Sequence, residues 1–111
     1  MTEKAIRLNA GKVEFTRIPV DAQIEEARVW MAGAVKYPDN ADGTPNWTHL
    51  WGDHTIHVCL NSLLRHALAI QQGESVDPET GLLHAAAIRC NAAMIIRYQL
   101  QIRKEPASND I

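Results

Sequence analysis

Residues 82–104, LLHAAAIRCNAAMIIRYQLQIRK, predict a helix that is apolar around almost its whole circumference. Leu82, Leu83, Ala85 to Ile88, Ala92 to Ile96, Leu100 and Ile102 leave no broad polar face. A helix of that kind is stable only when protein surrounds it on most sides. The chain has 111 residues, enough for one domain with one small core. The helix must therefore be covered by the rest of this chain and by a second copy of it. The expectation is a mainly α fold, a single domain over residues 1–111 that assembles into an oligomeric helical bundle, a homo-oligomer formed through this last helix.

The remaining elements follow from periodicity and punctuation. Residues 5–18, AIRLNAGKVEFTRI, place Ile6 and Leu8 on one side of Asn9-Ala10-Gly11 and Val13, Phe15 and Ile18 on the other. That pattern predicts a short N-terminal β-hairpin with Gly11 in its turn. Asp21 is a suitable N-cap, and Ile24, Ala27, Met31, Ala34 and Val35 recur at helical spacing, so a first helix is expected over 22–36. YPDNADGTPN, residues 37–46, is a loop. A second helix is expected over 48–72, with Ile56, Cys59, Leu60, Leu63, Ala67 and Ile70 as its apolar stripe and Gly73 as its stop. The third runs over 82–104, ended by Pro106, and 105–111 form a tail.

Charge and composition exclude several classes. Eleven basic residues against thirteen acidic ones give a net charge of −2, which offers duplex nucleic acid no electrostatic grip. No apolar run is long enough to span a bilayer, and no signal peptide is recognisable, so a soluble, cytoplasmic protein is expected, in the bacterial host's cytoplasm if a phage encodes it. The two cysteines, Cys59 and Cys90, both fall inside helical patterns and read as reduced core thiols.

The polar residues concentrate around GESVDPETGLLH, residues 73–84. Glu74-x-x-Asp77, with Glu79 close by, has the spacing of oxygen ligands for a hard divalent cation. The same residues equally make a tight turn whose Asp77 or Thr80 caps the third helix. His84 and Asn91 are seven apart on an apolar helix and so share a face; they either satisfy each other within the core or face a site. On the second helix, His54, His57, Asn61 and Arg65 form a polar stripe next to His66. The Arg65 guanidinium suits two phosphate oxygens at once. Lys36, Tyr37, Asn46 and Trp47 bracket the 37–46 loop, as loop anchors or as a wall for a stacked base with Asn46 on its edge and Lys36 on phosphate. His49, His54, His57 and Cys59 invite a zinc reading, but neither a Cys-x-x-Cys nor a His-Glu-x-x-His pattern supports it.

In order along the chain, RLNAGK, AGAVKY, NW, LLRHALA and GESVDPETGLLHAAAIRCNAA resemble the phage dATP/dGTP diphosphohydrolase family and, more distantly, the all-α nucleotide pyrophosphohydrolases of the MazG type. The resemblance covers residues 6–98. It implies a phage-type pyrophosphohydrolase of purine (deoxy)nucleoside triphosphates that uses Mg²⁺ or Mn²⁺. Glu74 and Asp77, with Glu79, would hold the metal. His66 and His84 would be catalytic. Lys36, Tyr37, Asn46, Trp47, Asn61, Arg65 and Asn91 would bind substrate. The MazG type carries a second, upstream carboxylate pair, whereas here Glu25 and Glu26 are adjacent rather than three apart. That departure keeps a second reading open: a non-enzymatic protein that sequesters a nucleotide, or a cyclic nucleotide immune signal, against host defence. Either way the partners are a small-molecule nucleotide and other copies of the chain, with no duplex nucleic acid and no membrane.

Overall fold

A computed structural model describes residues 10–49, 52 and 54–103. Three α-helices dominate: α1 (Val20–Lys36), α2 (Thr55–Gln71) and α3 (His84–Arg103). Among the described residues there is no strand beyond one isolated bridge. Phe15–Arg17, expected in the second half of a hairpin, winds a 3₁₀ turn instead, closed by Ile18 N–H on the Phe15 carbonyl at 3.1 Å. Gly11 does take a positive φ of 78°, as a turn there needs. The first strand of the expected hairpin lies outside the described residues.

Each helix departs from its expected start for a local reason. α1 begins at Val20 because Pro19, not Asp21, stands at the N-cap, its carbonyl accepting Gln23 N–H at 3.2 Å. Asp21 falls in the first turn, where its charge complements the helix N-terminus. Asn46–His49 forms a separate 3₁₀ turn, and α2 starts only after Gly52, whose N–H donates to Thr55 Oγ1 at 2.9 Å. α3 starts at His84 because Leu82 and Leu83 are spent on the preceding loop: the Leu82 carbonyl accepts Asp77 N–H at 2.8 Å, and Leu83 bridges Val76.

The end of α2 is a two-bond glycine cap. Gly73, at φ 94°, donates to the Ile70 carbonyl at 2.9 Å and Glu74 N–H reaches the Ala69 carbonyl at 2.9 Å. This cap turns the chain back, so α3 packs along α2 as the second arm of a helical hairpin. Small residues line that contact: Cys59, Ala86 and Cys90 are buried, together with Thr55, His84 and Asn91. α1 lies against the first turns of α3, tied there by Arg89 Nε donating to Glu26 Oε1 at 3.0 Å. Among the described residues no large side chain is completely buried. No helix among the described residues is long and apolar enough to cross a membrane.

Candidate functional site

The polar residues of the hairpin's turn are held by backbone geometry. The loop between α2 and α3 closes on itself through the Val76–Leu83 bridge, Gly81 N–H on the Asp77 carbonyl at 2.8 Å and His84 N–H on the Ser75 carbonyl at 2.9 Å. Asp77 Oδ1 accepts Glu79 N–H at 2.9 Å, and Thr80 Oγ1 accepts Leu82 N–H at 3.2 Å. The turn chemistry expected of Asp77 and Thr80 is therefore real, but it braces the loop rather than capping α3. Its consequence is to fix His84, only 5 % exposed, opposite the last turns of α2.

His84 uses both ring nitrogens. Its Nε2 lies 2.7 Å from Glu74 Oε1, and its Nδ1 lies 2.7 Å from His66 Nδ1. A carboxylate only accepts, so His84 Nε2–H is the donor to Glu74. For two neutral imidazoles, His84 Nδ1 then carries a lone pair and His66 donates to it. Burial lowers the pKa of His66, and the neighbouring His84 and Arg65 lower it further, against opposing pulls from Asp77 and Glu79. The neutral ring is thus the favoured form of His66. Asp77 completes the cluster: one donor atom each from His66, Asp77 and His84 lie within 4.8 Å of one another.

The three acidic residues of the loop do not share one cage. Glu74 is spent on His84, and Glu79 pairs with Lys36 Nζ at 3.6 Å in an exposed contact. That pair brings the end of α1 to the loop. Lys36 also stands 5.5 Å above the Tyr37 ring, and its pKa is raised by Tyr37 first and by Glu79 second. Arg65 is exposed beside His66 and has no ion pair among the described residues.

The other expected site residues have different surroundings. Asn61 is exposed, one turn before Arg65, with its Nδ2 3.4 Å from His57 Nε2. Asn91 is buried seven residues along α3 from His84, donating to Ser62 Oγ at 3.2 Å and to the Ala87 carbonyl at 2.9 Å, so it joins the two helices. Trp47 packs edge-on against Trp30 with ring centroids 5.9 Å apart, which makes it an anchor of its loop on α1. Asn46 is half-buried in the same 3₁₀ turn. His54 and His57 are exposed while Cys59 is buried, and among the described residues the three form no metal-ligand group. Two features escape sequence reasoning: the direct His66–His84 contact, and the Glu26 carboxylate shared by Arg89 and Trp30 Nε1. Only His66, beside the polar stripe of α2, and His84, in the apolar first half of α3, hint at the first.

A cleft of about 440 Å³ opens elsewhere, between α1 and the first turns of α3, lined by Asp21, Glu25, Ala86 and Arg89 among others. It includes none of the clustered histidines, and neither Arg65 nor Lys36 lines it.

Fold and site together define a small all-helical domain with a His–Asp–Glu centre at the turn of a helical hairpin. The chain belongs to the dATP/dGTP diphosphohydrolase N-terminal family, whose sequence profile matches residues 2–108. A protein of Salmonella phage PMBT28 described as a dATP/dGTP diphosphohydrolase is 33 % identical over 105 residues, which is 95 % of this chain and 32 % of that protein. The chain thus spans about a third of that relative's length. No solved structure matches.

Proposed function

We propose that this domain binds purine deoxynucleoside triphosphates and hydrolyses them to the monophosphate and pyrophosphate. The observation that carries the reading is the convergence of His66, His84 and Asp77 next to the exposed Arg65, in a chain of this family. Arg65 holds phosphate oxygens in two places, and Lys36 lies at the opposite margin of the loop to meet the same charge. His66 Nε2 and the Asp77 carboxylate keep the free lone pairs of the cluster, and a water held by them attacks the α-phosphorus. The water oxygen bonds to that phosphorus, the bond to the bridging oxygen breaks, and pyrophosphate leaves with the electron pair. A proton from the water passes to the cluster. Glu74, through His84, keeps the His pair in one tautomer.

The Mg²⁺ or Mn²⁺ cage of Glu74, Asp77 and Glu79 does not fit this arrangement, because two of its three carboxylates are engaged by His84 and Lys36. No step here runs through such an ion. The same commitment of carboxylates favours a second reading, in which the domain binds and holds a nucleotide without cleaving it. Incubation with a panel of nucleoside triphosphates, with each product separated, tests both. The first reading expects equal yields of purine deoxynucleoside monophosphate and pyrophosphate. Bound triphosphate recovered intact establishes the second, and neither binding nor turnover overturns both.

A further inference from the structure

We propose that His66, His84 and Asp77 form a binding site for a borderline divalent transition ion of the Zn²⁺ class, with Glu74 as its outer partner. The donor set is two imidazole nitrogens and one carboxylate oxygen, all within 4.8 Å of one another. Hard ions such as Mg²⁺ select oxygen, whereas a mixed nitrogen–oxygen set suits zinc. Glu74 makes the case more specific. A metal-bound histidine commonly donates its other N–H to a carboxylate, which fixes the tautomer and aims the free lone pair. His84 has this arrangement: Nε2 is 2.7 Å from Glu74 Oε1, and Nδ1 is 2.7 Å from His66 Nδ1. His84 is also buried, so its ring is held in place before any ion arrives.

The adjustment required is small. Ligand nitrogens of a tetrahedral zinc site stand about 3.3 Å apart, and the two Nδ1 atoms here are 2.7 Å apart. An ion entering between them takes the place of the shared proton, and His66 carries its own proton on Nε2. His66 is only half-buried and can give way by the difference. Three protein ligands leave a fourth position for solvent or for a phosphate oxygen, as in zinc sites that act on substrates. The inference deepens the proposed function, since the ion sits where the cluster meets phosphate, but zinc binding is tested with no nucleotide present.

The test is competition for Zn²⁺ between the chelator-stripped protein and a chromophoric chelator, with the visible spectrum of the Co²⁺ form as a second readout. One ion per chain and a four- or five-coordinate Co²⁺ spectrum are expected, unchanged by excess Mg²⁺. Glu74→Gln, which leaves all three ligands, should weaken zinc about 10- to 100-fold. His66→Ala and Asp77→Asn should lose it beyond detection while circular dichroism shows the helices intact. A His54→Ala/His57→Ala double variant should bind as the parent does. Wild-type protein that fails to compete, an octahedral Co²⁺ spectrum, binding retained in folded His66→Ala, or binding lost with the His54/His57 pair each overturns the site. Because these readouts exclude nucleotide, loss of the zinc proposal leaves the hydrolase reading standing, and zinc binding without hydrolysis does the reverse.

Discussion

Glu26 on α1 and Arg89 on α3 are joined at 3.0 Å, and the other Glu26 oxygen accepts Trp30 Nε1–H at 2.9 Å. Both carboxylate oxygens are therefore occupied at the contact that fastens α1 to the hairpin. Hydrogen bonds to a charged group contribute about 1.5–3 kcal/mol when shielded. Arg89 is 38 % exposed, so solvent screening reduces that. Glu26→Ala is expected to lower stability by about 1–2 kcal/mol, and Glu26→Gln by less, because the amide oxygen still accepts one bond. Urea unfolding followed by circular dichroism reads the loss, and Trp30 fluorescence should report α1 loosening first. An unchanged midpoint in Glu26→Ala would show that the contact adds nothing.

Arg65 offers a cleaner separation of binding from folding. Its side chain is exposed and forms no ion pair among the described residues, so truncation opens no cavity and orphans no partner. Arg65→Ala should leave the melting temperature unchanged while weakening a triphosphate analogue by about 1.5–3 kcal/mol, roughly ten- to hundredfold in affinity. Arg65→Lys should recover only part of this, since an ammonium cannot hold two oxygens in a fork. Calorimetric titration of each variant with a non-hydrolysable analogue is the measurement. Normal binding by the alanine variant would move the phosphate site elsewhere.

How much of this was legible in the sequence depends on whether a feature is local or requires the fold. The helical stripes of α1, α2 and α3 are periodic in the chain itself, and Gly73 marks the end of α2 without any tertiary help. The starts are less legible. Pro19 and Gly52 set two of them through bonds to residues three or four positions away, and the loop takes Leu82 and Leu83 from α3. In the site, Arg65 and His66 stand out because they end the polar stripe of α2, and His84 because it interrupts an apolar helix. Their meeting does not, since 18 residues separate His66 from His84 and only the return of α3 along α2 closes the gap. Glu74 reads as a metal ligand by its spacing to Asp77, yet spacing cannot reveal that a buried imidazole claims it first. Trp47 likewise looks available for stacking until α1 presents Trp30 to it.

The two thiols should behave as core residues. Burial pushes Cys90 up to about 12, with Glu26 and Cys59 adding to the effect, and burial alone raises Cys59. An unfolded cysteine ionises near 9.0. Between those values the unfolded chain releases a proton that the folded chain keeps, so stability is full below pH 9 and falls as pH rises toward 12. Denaturation midpoints taken across that range should decline, and Cys90→Ala should flatten the slope even if it lowers the starting value. Alkylation by iodoacetamide at pH 8 should be slow until denaturant is added, because the reactive thiolate is suppressed. Rapid alkylation of folded protein would show that Cys90 is reached without unfolding.

The apolar surface left on one chain predicts assembly. Val20, Ile24, Met31 and Val35 follow one another along α1 at spacings of four, seven and four, which places them on one face. They are 66 %, 47 %, 71 % and 84 % exposed, and Ile96 and Leu100 extend the uncovered surface on α3. The radius of gyration is 17.6 Å, against about 13 Å for a compact domain of this length. A short chain whose described residues bury only small apolar side chains gains most by covering such a stripe, at about 1.5–3 kcal/mol for each large aliphatic side chain taken out of water. A second copy carries the same stripe and can meet it about a two-fold axis. Light scattering at micromolar concentration should give a mass of at least two chains, and the melting temperature should rise with concentration. Met31→Glu and Val35→Glu place charge on the stripe without altering the hairpin. Each should shift the mass toward one chain and lower the melting temperature, while leaving the His66–His84 cluster intact. A one-chain mass for the unaltered protein would mean that this surface is left to solvent or to another partner.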